Sequence, residues 1–334
     1  MEHAQPLDTP AAMIRRYVAA MKAVRCVENQ ARVVDLPAPT GQGVRIKVAS
    51  AGICGSDLHL IAMWPLEATL GHEFAGYTSD GTAVAVEPLD PCWACDPCRN
   101  GDYHRCARGA AMVLGVGIDG GMAEECLVPE SAIVALPAGL SPRDACLVEP
   151  LAVAVHGVRR GDVRPAEQAA IVGGGAIGLC GVAAVRAIGA RVDLAARHDA
   201  QRAAGQQLGA GSVADDAASA YDVVIDAAGT AESLQQCIHL AKPGARMILL
   251  ATYWGGMQLP GFDLCMKEIN IVPAAQYNRL GPSRDVDVAA TILATNPLVA
   301  RSLITHRFPL DAAAEAFAVA ADRQAGAIKV VLEP

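Results

Sequence analysis

Positive charge is in short supply: 27 lysines and arginines stand against 35 aspartates and glutamates, a formal net charge of -8 at pH 7. With no basic run and no interleaving of aromatic with basic residues, this argues against a nucleic-acid surface and for small-molecule chemistry. No apolar stretch reaches the roughly 20 residues that cross a bilayer, and the N-terminus has no basic-then-apolar order of a secretory leader. The chain therefore reads as soluble and cytoplasmic. Internal repeats and low-complexity linkers are absent as well.

What is present is enough chain for more than one core: 334 residues make two domains the expectation. From residue 21 to about 136, short β-like runs such as 44–48 and 82–86 are broken by Gly, Pro and Asp, which predicts a β-rich half. After Glu149-Pro150, strand and helix alternate: strand at 169–172, helix at 176–188, strand at 192–195, helix to 208, then strands at 221–226 and 246–251. That alternation predicts an α/β fold with a doubly wound parallel sheet. The last stretch, 303–333, reads as a short strand, a helix over 310–321 and a strand over 328–332 that returns to the first domain. The expected division is an extension at 1–20, a catalytic domain of 21–150 with 280–334, and a cofactor domain of 151–279. The extension reads as a frayed helical arm or as residues ahead of the true start.

The eleven cysteines are odd in number, and four cluster within fifteen residues, which favours a reduced, metal-binding chain over disulfides. Cys92, Cys95, Cys98 and Cys106 are spaced C-x2-C-x2-C-x7-C. One loop with that spacing can wrap four thiolates tetrahedrally around Zn²⁺ at about 2.3 Å each. With every position filled by protein, the site is structural. Four thiolates leave the ion with surplus negative charge, and Arg99, Arg105 and Arg108 lie near enough in sequence to offset it.

A dinucleotide signature follows. Gly173-x-Gly175-x-x-Gly178 comes directly after the strand at 169–172, with Ala176 and Ile177 opening the next helix. Glycines there let the backbone approach a pyrophosphate seated on the helix N-terminus.

Five motifs together carry a family resemblance: Gly52-Ile-Cys-Gly-Ser-Asp57, Gly71-His-Glu73, the cysteine lobe with Gly101 inside it, Glu149-Pro-Leu151, and Leu303-Ile-Thr-His-Arg-Phe-Pro-Leu310. From Met21 to Pro334 the sequence resembles the zinc-containing medium-chain dehydrogenase/reductase family of alcohol dehydrogenases, leaning toward its polyol, sorbitol-dehydrogenase-like branch. The resemblance implies a GroES-like catalytic domain beside a Rossmann domain, two zinc ions per subunit, and a homodimer or homotetramer with the strand around 246–253 near the subunit edge. It also implies a catalytic zinc with Cys54 and His72 as direct ligands. Glu73 and Glu149 would bind directly or through water, Glu149 standing where other members place a second cysteine.

An alcohol gives up hydride readily only as its alkoxide, so such a site must lower the hydroxyl pKa and lead a proton out of a dry pocket. Ser56 and His59 match the family's relay, the histidine passing the proton through the nicotinamide ribose to solvent. The acidic position that NAD-type relatives use for the adenine ribose falls on Ala196, followed by Arg197 and His198. A small residue before a cation suits a 2′-phosphate, so NADP(H) is expected over NAD(H), with Arg202 joining in or facing water and Asp193 the acidic rival inside the strand.

The sequence departs from the family in places. The loop between His59 and His72 and the hairpin after Glu73 are short, and both border the substrate cleft. Met63, Trp64, Trp93, Met112, Leu114 and Ile118 are candidate pocket walls. Gln276-Tyr277 replaces the polyol branch's Arg-Tyr, which weighs against a sugar alcohol or acidic substrate, and Pro273 replaces a usual glycine. The leading expectation is reversible oxidation of a secondary or polyol-like alcohol to its ketone with NADP⁺. Two others stand beside it: a zinc-independent enoyl or quinone reductase of the same fold, and a non-enzymatic zinc- and NADPH-binding structural or regulatory protein. Cys54, His72, Glu149 and the cysteine lobe speak against the first, and the second has no need of Ser56 and His59.

Overall fold

The computed structural model describes residues 20–322 and 324–334, so the extension expected at 1–20 lies outside the described residues except for Ala20. The first half is a ladder of short strands: β1 (Ala20–Val27), β2 (Gln30–Pro37), β3 (Val44–Ile53), β4 (Glu73–Thr78), β5 (Ala83–Val86), β6 (Glu125–Val128) and β7 (Ile133–Ala135). The second half carries β8 (Gln168–Val172), β9 (Arg191–Ala195), β10 (Gly211–Ser212), β11 (Tyr221–Asp226), β12 (Ala241–Leu249) and β13 (Asn270–Pro273). A small hairpin, β14 (Arg279–Leu280) with β15 (Ser283–Arg284), precedes β16 (Ile304–Pro309) and β17 (Lys329–Glu333).

The catalytic sheet runs β16-β17-β3-β4-β5-β7, with β6 also paired to β3. The chain's last strand therefore sits against β3, in register Val330 with Ile53 and Val331 with Gly52. The second sheet is parallel and ordered β10-β9-β8-β11-β12-β13. Its first strand lies in the middle and the order reverses between β8 and β11, opening a crevice at the strands' carboxyl ends. Ala169 to Val172 are buried on both faces, as a strand covered by helices on each side requires.

β12 begins five residues earlier than the sequence implies and lies next to β13, the edge strand, so the strand around 246–253 is near the sheet's edge as expected. Glu149-Pro150 looks like a break in the sequence, yet the helix Val148–Arg160 runs through it, because a proline in the first turn costs no helical hydrogen bond. One continuous core ties the halves together, joining Cys98, Tyr103 and Cys106 of the cysteine lobe to Val148 and Leu151 of that helix and to Val286 and Leu293 of the helix Asp285–Thr295. No helix among the described residues is long and apolar enough to cross a membrane.

Candidate active site and metal centres

Three strands assemble the cleft. Cys54 follows β3 and occupies the N-cap of the helix Gly55–Met63, where its backbone N–H donates to Asp57 Oδ2 at 2.9 Å. His72 immediately precedes β4, and Glu73 opens it opposite Gly52 of β3. A Cβ at Gly52 would stand 2.2 Å from Glu73 Oε2, so glycine there is what leaves room for the carboxylate. From β17, Lys329 Nζ reaches both Glu73 oxygens at 2.7 and 2.6 Å and donates to the Ile53 carbonyl at 3.1 Å.

Ligand atoms of Cys54, His72 and Glu73 all lie within 4.8 Å of one another. Glu149 is not in that group. It stands beside it in the first turn of Val148–Arg160, where burial pushes its carboxyl up to about 7, His72 pulling down and Glu73 pushing up in turn. Burial also works against a charged His72, but Asp57 and Cys54 outweigh it and hold its pKa well above the usual value. His72 Nδ1 lies 3.3 Å from Asp57 Oδ1, although neither atom makes a hydrogen bond, and His72 Nε2 lies 3.3 Å from Ser56 Oγ.

Asp57, Glu73 and Glu149 are thus three buried carboxylates beside a thiol, with Lys329 the buried lysine among them. Buried carboxyls call for compensating positive charge, and Lys329 supplies it directly only to Glu73. The mixed sulfur, nitrogen and oxygen donors are a set zinc accepts, and Asp57 Oδ1, 3.3 Å behind His72 Nδ1, is a carboxylate near enough to orient the imidazole once a metal holds its other nitrogen. The residues fit the metal.

In the cysteine lobe the Cys92–Cys98, Cys95–Cys98 and Cys95–Cys106 sulfurs are 4.0, 3.4 and 3.9 Å apart. A tetrahedron with Zn–S of about 2.3 Å has edges of roughly 3.8 Å. Backbone N–H groups of Ala94 and Cys95 hold the Cys92 thiol down at about 6, while burial pushes Cys98 up to about 12. A metal among them would ionise all four.

The expected arginine screen is rearranged. Arg108 Nη1 donates to Asp90 Oδ2 at 2.7 Å and Arg105 pairs with Asp102, so the hydrogen bonds to sulfur come from the backbone of Cys92, Cys95, Ala107 and Arg108 instead. Main-chain donors fixed by the loop do this without ordering a long side chain.

A second cleft, of about 980 Å³, opens over the carboxyl ends of β8, β9 and β11 and is lined by Gly173, Gly175, Ala196, Arg197, His198 and Arg202 among others. Gly178 lies beneath it: a Cβ there would be 1.8 Å from the Gly173 carbonyl, so only glycine lets the helix Ala176–Ala187 sit this close to β8. Ala176 and Ile177 form that helix's first turn. Arg202 is occupied, donating to the Ala196 and Arg197 carbonyls at 2.8 and 2.7 Å and pairing with Asp199. Asp193 points elsewhere, held by Gln168 Nε2 at 3.1 Å and the Tyr221 hydroxyl at 2.8 Å.

Among the proposed pocket walls, Met112 and Leu114 are core residues, and Trp93 packs on Tyr103 inside the cysteine lobe. Gln276 has φ 58° and a buried, unpartnered Oε1, while the hydroxyl of Tyr277 turns to Glu149. Lys329, Gln201 in the cofactor cleft and Trp254 were not picked out from sequence. Lys329 and Trp254 owe their places to contacts made far along the chain, with Glu73 and His59.

A closed thiolate lobe and a Cys-His-Glu cluster in a β-rich domain, beside a dinucleotide-binding sheet, define a zinc- and nicotinamide-dependent dehydrogenase. The chain belongs to the zinc-binding alcohol dehydrogenase family: residues 40–138 match the alcohol dehydrogenase GroES-like domain and 176–291 the zinc-binding dehydrogenase domain. It is similar to the L-galactonate-5-dehydrogenase of Escherichia coli K12, 29% identical over 311 residues, which span 85% of this chain and 89% of the relative. Among solved structures it resembles galactitol-1-phosphate dehydrogenase from Escherichia coli, 28% identical with TM-score 0.84, over 94% of this chain and 100% of the other. It also resembles a Sinorhizobium meliloti 1021 protein bound to NADP, 29% identical with TM-score 0.83, over 95% of this chain and 100% of that one. Like its family, the chain is an oxidoreductase acting on CH-OH groups, which sets aside the double-bond-reductase and non-enzymatic expectations.

Proposed function

We propose that the protein interconverts a secondary or polyol-like alcohol and its ketone, with NADP(H) preferred to NAD(H) and two zinc ions per subunit. The observation that carries this is the convergence of Cys54, His72 and Glu73, whose ligand atoms lie within 4.8 Å of one another, with the buried carboxyls of Asp57 and Glu149 alongside. Zinc held by Cys54, His72 and Glu73, with Glu149 alongside, would supply the positive charge that makes an alcohol hydroxyl acidic enough to release its proton.

The chain's own groups do the rest. Ser56 Oγ, already beside His72, accepts the substrate proton, and His59 carries it toward solvent. Gly173, Gly175 and the helix start at Ala176 hold the pyrophosphate. For the phosphate preference, Ala196 leaves room and Arg197 supplies charge. Glu232, held low by its own backbone N–H and by Thr230, feels Arg197 from across the cleft, and a bound 2′-phosphate would compete for that guanidinium.

The relatives named above act, by their names, on a sugar acid and a sugar-alcohol phosphate, which supports a hydroxylated carbon chain as substrate. We take 21–150 with 280–334 as the catalytic unit, 151–279 as the cofactor unit and the active species as a cytoplasmic homodimer or homotetramer. The test is a panel of polyols, secondary alcohols and their ketones, followed by NADPH and NADH absorbance with and without a zinc chelator. Turnover that is lost on chelation and at least about tenfold more efficient with NADP(H) is expected, a difference of roughly 1.4 kcal/mol. Equal efficiency with both cofactors overturns the preference, and turnover untouched by chelation overturns the metal role.

A further inference from the structure

The indole of Trp254 lies flat against the imidazole of His59, ring centroids 4.9 Å apart and planes within 3° of parallel. The partners come from opposite sides of the cleft: His59 from the helix Gly55–Met63 that Cys54 caps, Trp254 from the segment that follows β12 of the parallel sheet. Of the three tryptophans, Trp64 and Trp93 are 49% and 48% exposed, whereas Trp254 is half-buried although Gly255, Gly256 and Met257 beyond it are exposed.

The start of the Trp254 segment is anchored. The hydroxyl of the neighbouring Tyr253 donates to Asp226, a fully buried carboxylate ending β11. Asp226 also accepts the backbone N–H groups of Ala228 and Gly229 at 2.9 and 3.0 Å and Ser233 Oγ at 2.9 Å. Pinning Tyr253 in this way holds the adjacent indole near one place.

His59 is constrained on its other edge as well. Its Nδ1 is 2.8 Å from the Gly55 carbonyl oxygen. A carbonyl only accepts, so Nδ1 carries the hydrogen, and in the neutral ring Nε2 is the nitrogen with the free lone pair. The hydrogen bond fixes the tautomer and one edge of the ring. A stacked aromatic neighbour fixes its plane.

We infer that Trp254 is a positioning residue for proton transfer: it clamps His59 with Nε2 open, so that the cofactor domain, through Asp226, Tyr253 and Trp254, sets the geometry of a relay whose other members lie in the catalytic domain. This role rests on the proton-carrying function assigned to His59 above. For each hydride passed from alcohol carbon to nicotinamide, one proton leaves the alcohol oxygen for Ser56 Oγ, the Ser56 proton moves on toward His59 Nε2, and one proton is released to solvent. A ring free to rotate would present Nε2 only part of the time and slow that transfer without altering substrate binding.

The experiment compares wild type, Trp254→Ala, Trp254→Phe, His59→Gln and the Trp254→Ala/His59→Gln double variant. It reads pH profiles of kcat and kcat/KM, and the side-chain 15N resonances of His59 in the enzyme without substrate. Trp254→Ala is expected to lower kcat about three- to tenfold, a fraction of what a positioned acid–base group contributes. KM should stay nearly constant, and the 15N spectrum should show the Nδ1–H tautomer averaged with its alternative as the unclamped ring swings off the Gly55 carbonyl. Trp254→Phe keeps an aromatic face and should recover most of the rate and the spectrum. In the His59→Gln background, Trp254→Ala should cost nothing further. If Trp254→Ala changes KM alone, with profile and 15N spectrum as in wild type, the residue is a wall of the cleft and the inference fails. An unaltered pH profile in His59→Gln overturns the relay itself, an outcome separable from the first because it leaves the tautomer result of Trp254→Ala standing.

Discussion

Lys329 and Glu73 are 256 positions apart and among the most deeply buried charges of the chain, 3% and 0% exposed. Burial alone would discharge the ammonium, yet Glu73 outweighs it and raises the lysine's pKa. Such a pair is worth little against an apolar replacement but costs much when one member is removed, because the other is left charged and unsolvated. In enzyme stripped of its cleft metal, Lys329→Met should therefore destabilise the fold by about 3–5 kcal/mol. In the metal-loaded protein the loss should be smaller, since the ion offsets part of the Glu73 charge. Urea unfolding of both forms checks this, and equal losses would mean that Glu73 does not sense the metal. Nothing near Lys329 in the sequence announces it: a lysine opening a terminal strand looks like a solvated end until β17 is placed beside β3 and β4.

At the level of elements, what the sequence reveals depends on whether its signal is local. β8 and β11 are legible almost to the residue because a parallel strand covered on both faces is a mostly apolar run between turns, and β9 is legible from the alternation of buried Val192 and Leu194 with Arg191 and Asp193. β12 was read late because Lys242-Pro243-Gly244 looks like a turn, although the strand already begins at Ala241. The four cysteines and the Gly173-x-Gly175-x-x-Gly178 fingerprint were legible for the same reason of locality, each being one loop. The separation of Glu149 from the Cys54, His72 and Glu73 group was not, since it depends on how the helix Val148–Arg160 lies on β4. The fingerprint supplies a prediction at this scale. In Gly178→Ala the new methyl group meets the Gly173 carbonyl and must push the helix Ala176–Ala187 away from β8, moving the N–H groups that face the pyrophosphate. NADPH affinity measured by fluorescence titration should fall at least about tenfold, roughly 1.4 kcal/mol, while zinc content stays as in wild type. Unchanged affinity would show that the helix has room to shift.

For the molecule as a whole, the two candidate metal centres differ in what they hold together. The cleft site joins β3, β4 and β17, which are already paired by backbone hydrogen bonds, so its loss removes charge compensation and leaves the sheet in place. The cysteine lobe has little regular structure of its own, only the helix Asp96–Arg99 and single 3₁₀ turns, yet Cys98, Tyr103 and Cys106 belong to the main core. From that lobe Tyr103 reaches Glu87, and Glu87 lies 3.2 Å from Arg284, whose guanidinium donates to the Ser131 and Ile133 carbonyls and to Asp287. Unfastening the lobe should thus loosen the contact between β7 and the helix Asp285–Thr295 and with it the junction of the two sheets. Graded chelation should first abolish turnover with one equivalent of zinc lost and the near-ultraviolet circular dichroism nearly unchanged. Loss of the second equivalent should lower Tm on the order of 10 °C, from several kcal/mol of metal-linked folding energy at roughly 2–4 °C per kcal/mol. Cys95→Ser should reproduce the second effect alone, leaving an enzyme that turns over at low temperature but unfolds early. If that variant melts with the wild type, the four sulfurs do not hold the metal that keeps this lobe folded.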